Sequence, residues 1–130
     1  MPLLFSAALE GRHLDLNRFV AVAATNPAKI YGLFPRKGTI AVGSDGDFAI
    51  WDPDKTVTIS ISRLNDGMDY TPYEGIEVTG WPELTVSRGE IIWRDGEFTG
   101  APGRGRFLPC ERPHPVNESD LLDDTGVARE

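Results

Sequence analysis

The sequence is poor in the residues that most often do chemistry. It holds one cysteine, Cys110, and two histidines, His13 and His114, near opposite ends of the chain. A lone cysteine excludes an internal disulfide and fits a reducing compartment. No apolar run approaches the roughly 20 residues that span a bilayer, and residues 1–5 have no basic flank and are too short for a secretory signal core. A cytoplasmic protein with no membrane partner is expected. Cations are also scarce, with 13 Lys and Arg against 20 Asp and Glu and a formal net charge of −7. More than half of that charge sits in residues 116–130, where Glu118, Asp120, Asp123, Asp124 and Glu130 face only Arg129. An acidic chain without a basic stripe is a poor match for a phosphate backbone, so no nucleic-acid partner is expected.

The 130 residues, 40% of them hydrophobic, suffice for one modest core. Residues 3–9 read as a short apolar helix. Residues 14–24 read as a better one, capped by Asp15, with Leu16, Phe19, Val20, Ala23 and Ala24 forming one stripe. Thr25 ends it, and Asn26 caps a third helix with Pro27 in its first turn. Gly32 closes that helix in a left-handed conformation. Pro35 and Gly38 then bend the chain, and residues 43–46 turn it again.

From there the pattern is β. Residues 48–51 read as a buried strand that Asp52-Pro53-Asp54 stops, and residues 56–59 alternate as a second strand. Pro72 holds a loop over residues 70–75, and residues 61–67 fit no template. Residues 84–87, a turn at Arg88-Gly89, residues 90–93, a turn at Asp95-Gly96 and Glu97-Phe98 read as a meander. Ile50, Val57, Ile59, Val86 and Ile92 are expected on its inner face. The glycine-rich residues 100–106 are expected to be flexible, and residues 111–130 to be a tail without packed structure.

No set of residues assembles a catalytic centre. Neither histidine has a ligand partner at helical or strand spacing, and no Cys-x-x-Cys occurs, so each reads as a surface residue. Lys29 and Lys37 fall in a helix and a loop. Ser44 and Ser87 flank turns without a histidine base. Asp45 and Asp47 look like paired carboxylates, but their flanking glycines point to turn chemistry. Arg104 and Arg106, between Gly103 and Gly105, lack the strand-to-helix junction of a phosphate loop. Cys110 is an incidental thiol, and Trp51, Trp81 and Trp93 are core or interface anchors. Catalytic, cofactor-binding and metal-binding residues are all expected to be absent.

Residues 26–52 (NPAKIYGLFPRKGTIAVGSDGDFAIWD), Tyr70-Thr71-Pro72-Tyr73-Glu74-Gly75, Glu77-Val78-Thr79-Gly80-Trp81-Pro82, Ser87-Arg88-Gly89-Glu90 and Pro102-Gly103-Arg104-Gly105-Arg106-Phe107 carry a resemblance. Together they resemble the C-terminal part of cyclic amidohydrolases of the dihydropyrimidinase and D-hydantoinase family, over residues 1–109. Gly46 departs from the alanine more usual there, at a turn position. The resemblance implies a mixed α/β fragment. Residues 1–35 would be the last helices of a TIM-type barrel, residues 36–100 the C-terminal share of a small β-sandwich, and residues 101–130 an extended acidic tail. It implies hydrolysis of hydantoin or dihydropyrimidine rings by a binuclear metal centre, usually zinc, whose histidines, carboxylated lysine and aspartate lie before the matched part. The chain alone is then not catalytically competent. Its expected partners are the missing N-terminal portion and other copies of itself. A non-catalytic oligomerisation or scaffold module, and an independent small β domain that binds a partner, are the alternatives.

Overall fold

The computed structural model describes residues 1–65 and 67–116. It is a mixed α/β arrangement: helices α1 (Pro2–Leu9), α2 (Leu16–Val20) and α3 (Asn26–Ile30), followed by strands β1 (Phe48–Thr58), β2 (Glu77–Ser87), β3 (Glu90–Arg94) and β4 (Glu97–Phe98). The strands form one antiparallel sheet in the order β1-β2-β3-β4. The meander is as the sequence implies, and its turns carry positive φ at Arg88, Gly89, Asp95 and Gly96.

The helical region differs from expectation at Asn26. Asp15 does cap α2, its side chain accepting the Arg18 amide at 2.7 Å. The helix does not stop at Thr25, however. A π-helical turn over Ala21–Thr25 joins α2 to α3, and Asn26 has helical angles (φ −66°, ψ −44°) and is buried rather than capping. Pro27 accounts for this, because its ring clashes with the carbonyl one turn back and it has no N–H to donate. A wider turn relieves both problems, and the Asn26 amide reaches back to the Ala21 carbonyl. The widened turn also breaks the expected stripe. Phe19 is buried and Ala23 packs beside it, whereas Leu16 and Val20 are about half exposed.

The strands are longer than the sequence suggests. Asp52-Pro53-Asp54 does not end β1. The register jumps there, with Asp52 opposite Trp81 and Thr56 opposite Thr79, so three β1 residues bulge past Gly80. A bulge is one of the few sheet positions that tolerate proline. β1 is also an edge strand among the described residues.

Helix α1 lies across β2 and makes the core. Phe5 stacks at a tilt on Trp51, with ring centroids 4.5 Å apart, and meets the edge of Phe19 at 5.2 Å. Ser6 is buried in this apolar setting, and its hydroxyl accepts the Thr79 amide at 3.1 Å. Of the expected inner face, Val57, Ile59 and Val86 are buried. Ile50 is 47% exposed. It neighbours Trp51 in a strand, so the two side chains point to opposite faces, and Trp51 takes the face covered by α1.

Past β4 the chain returns to the helices. The Glu111 amide donates to the Gly32 carbonyl and the His114 amide to the Lys29 carbonyl, each at 2.9 Å. Residues 111–116 are therefore tied down instead of trailing free. The rest of the expected acidic tail, residues 117–130, lies outside the described residues.

Candidate functional site

Three segments converge at the end of the sheet remote from α1: the loop after α3, the turn between β2 and β3, and the strap after β4. The loop folds on itself first. The Asp45 amide donates to the Arg36 carbonyl at 2.9 Å and the Ser44 hydroxyl to the Pro35 carbonyl at 2.8 Å. This places Arg36 and Lys37 against two carboxylates. Lys37 lies 2.9 Å from Asp45 and also pairs with Asp47, while Arg36 meets Asp45 at 3.1 Å.

Asp47 uses its other oxygen to accept the Arg88 amide at 2.6 Å, and the Gly89 amide donates to the Gly46 carbonyl at 2.9 Å. The loop is thereby fastened to the β2–β3 turn. From the other side, the Arg104 guanidinium donates to the Ser87 carbonyl and to Glu90, both at 2.8 Å, and Arg88 donates to the Arg104 carbonyl. The glycine-rich 100–106 segment is thus held at Arg104, whose side chain is only 18% exposed. Between the three segments lies a cleft of about 530 Å³.

The charges in this junction shift one another. Burial alone lowers the pKa of Lys37, but its hydrogen bonds to Asp47 and Asp45 outweigh that and hold it above its ordinary value. The hydrogen bond from Lys37, followed by that from Arg36, pulls Asp45 below the ordinary carboxylate range against a smaller opposing effect of burial. Burial pushes Asp47 upward, and Lys37 together with the Arg88 amide more than offsets this, leaving it lowered.

The arrangement can bind and fasten, but it has no nucleophile with a base. The Ser44 hydroxyl is committed to a backbone carbonyl, and neither histidine lines the cleft. His13 is exposed beyond α1, with a positive φ of 65°. His114 is also exposed, its ring 5.9 Å from that of Phe34. Lys29 lies over the same Phe34 ring, and Cys110 is an exposed free thiol. Trp51 belongs to the core, as the sequence implies. Among the described residues, no three His, Cys, Asp or Glu side chains come close enough to hold a metal ion. This donor set does not fit a binuclear metal centre.

The sequence shows the turn residues Asp45 and Asp47 but not their partners. Two adjacent cations followed after a short interval by Asp-x-Asp, across glycine-bounded turns, is the signal that a Lys37 pairing leaves. The parts played by Arg88 and Arg104 have no local signal.

Comparison with known proteins places residues 2–92 within the Amidohydrolase family. A D-phenylhydantoinase of Escherichia coli is 47% identical over 108 residues, and a dihydropyrimidinase of Rattus norvegicus is 42% identical over 109. These alignments cover 83% and 84% of this chain but only 23% and 21% of the relatives. In the crystal structure of dihydropyrimidinase from Brevibacillus agri, a region 38% identical superposes with a TM-score of 0.84, covering 88% of this chain and 25% of that one. The chain thus spans about a quarter of the length of the proteins it matches.

Proposed function

Because the chain belongs to the amidohydrolase family, we propose that it is the C-terminal portion of an enzyme that hydrolyses cyclic amides, opening a hydantoin or dihydropyrimidine ring. The observation that carries this reading is the 42–47% identity to proteins of that activity, over most of this chain and about a quarter of theirs. In this reading residues 1–35 are the last helices of a barrel, residues 36–100 a share of a small β-sandwich and residues 101–130 a tail. The metal-binding and reacting groups belong to the remainder of the enzyme, and the cytoplasm is its compartment. In the same reading the polar junction of the described residues fastens segments to one another.

The test has two arms. The purified chain is assayed with hydantoin and dihydrouracil, and its metal content is measured. Neither turnover nor stoichiometric zinc is expected. It is then mixed with a D-hydantoinase lacking the matched region, where restored ring opening is the expected result. Turnover by the chain alone, or about one tightly held zinc per chain, would overturn the reading.

An assembly role has its own support. The outer edge of β1 is unpaired among the described residues, and Phe48, Ile50 and Ile91 are 41%, 47% and 41% exposed. An open edge beside apolar side chains is a template for another chain. Sedimentation equilibrium at low micromolar concentration is expected to show self-association, and a folded monomer near 14.3 kDa would rule this role out.

A further inference from the structure

We propose that the cleft between the loop after α3, the β2–β3 turn and residues 104–108 binds a small phosphate-bearing dianion, a property separate from ring hydrolysis. Five of the side chains lining the cleft are cationic: Arg36, Lys37, Arg88, Arg104 and Arg106. Arg36 and Lys37 are answered by Asp45 and Asp47, and Arg104 by Glu90. The Arg88 amide donates to Asp47, but neither the Arg88 nor the Arg106 guanidinium pairs with a carboxylate among the described residues. Arg88 gives one guanidinium nitrogen to the Arg104 carbonyl and keeps the rest of its donors. Two unanswered charges therefore face one cleft on a chain whose net charge is −7.

That local excess selects the ligand. Guanidinium forks match the planar and tetrahedral oxygens of carboxylates and phosphates in two-point contacts, and two positive charges match a dianion rather than a monocarboxylate. The volume of about 530 Å³ exceeds what inorganic phosphate needs and falls within the roughly 300–1,000 Å³ of small-molecule sites. The phosphate is therefore assigned to a small ester. Pairing of Lys37 with Asp45 and Asp47, and the hydrogen bond of Arg104 to the Ser87 carbonyl, set the walls of the cleft before any ligand arrives, which lowers the ordering cost of binding.

Equilibrium dialysis of the full chain against radiolabelled inorganic phosphate, at fixed ionic strength, tests the site whatever the state of association. Saturable uptake is expected, weakened about tenfold or more in Arg106→Ala and in Arg88→Ala. Arg106 is exposed and has no ion pair among the described residues, so its replacement leaves the fold intact; an unchanged thermal melt checks this. Arg106→Lys, which keeps the charge and loses the fork, is expected to bind at an intermediate level. Glycerol phosphate is expected to displace the label more effectively than unlabelled phosphate, and malonate less effectively than either. Absence of saturable uptake, or uptake unchanged in both alanine variants, refutes the site. Displacement by malonate as strong as by glycerol phosphate refutes the assignment to phosphate.

Discussion

The contact of α1 on β2 and the contact of the 36–47 loop on the β2–β3 turn each fasten a segment to the same strand, yet they share almost no chemistry. At the first, Phe5, Phe19 and Trp51 interlock within ring distances of 4.5–5.9 Å, and one hydrogen bond from Thr79 to Ser6 joins them. At the second, two carboxylates, two cations and a series of backbone amides do the joining. Burial of apolar area has no preferred direction and responds to volume. Charge-assisted hydrogen bonds are directional and respond to protonation. One end should therefore fail when a shape changes, and the other when the solution does.

The largest effect is expected from Gly80→Ala, at the apolar end. A Cβ at this position would lie 2.4 Å from Phe5 Cδ1 and 2.9 Å from Leu9 Cδ1, on a backbone with φ +93°. Overpacking and left-handed strain together are expected to cost about 2–5 kcal/mol. In urea titrations this loss should be the same at low and high salt and across neutral pH. A loss that shrinks with salt would show that charge also holds this end.

Asp47→Asn should do the reverse, costing about 1 kcal/mol at neutral pH, because a partly exposed pair is screened. Asp45 and Asp47 have lowered pKa values in the fold, so their stabilisation is complete above the ordinary carboxylate value of 3.8 and disappears as pH falls through the lowered folded values. Lys37 is raised, so its part is complete below 10.5 and is lost as pH climbs through the raised value. Wild type and Asp47→Asn should thus converge in melting temperature in strong acid. A gap that persists after the Asp47 carboxylate has been protonated would mean that Asp47 acts by packing.

An effect of similar size belongs to the hairpin between β3 and β4, which neither contact touches. Asp95 and Gly96 have φ of 51° and 93°, angles that a β-branched side chain resists. Gly96→Val is expected to lower stability by about 1 kcal/mol or more while leaving the salt and pH responses of both ends unchanged.

What was legible in the sequence divides along the same line. The helix at residues 3–9, the Asp15 cap and both meander turns are local choices, settled by residues within a few positions of each other, and they stand in the structure as read. Pro53 misleads because whether proline ends a strand depends on the partner. Opposite Gly80 it finds a bulge, and that partner lies far along the chain. Asn26-Pro27 misleads for a related reason, since a wider helical turn absorbs the proline where a new helix start was the simpler expectation. The polar junction was half visible: Asp45 and Asp47 show as turn residues with Lys37 in the same loop, but Arg88 and Arg104 join them only once the sheet brings distant segments together.

The return of the chain from β4 to the helices has a consequence in time. The amides of Glu111 and His114 reach the carbonyls of Gly32 and Lys29, closing a loop that contains the entire sheet. Closing a long loop carries an entropy penalty that short hairpins escape, and hairpins form in about 1–10 μs. The meander should therefore exist before the strap docks, and the strap should be the first part to leave. Amide exchange at Glu111 and His114 would then report short-lived opening events, while the Thr79 amide, bound to Ser6 of α1, waits for α1 to leave the sheet.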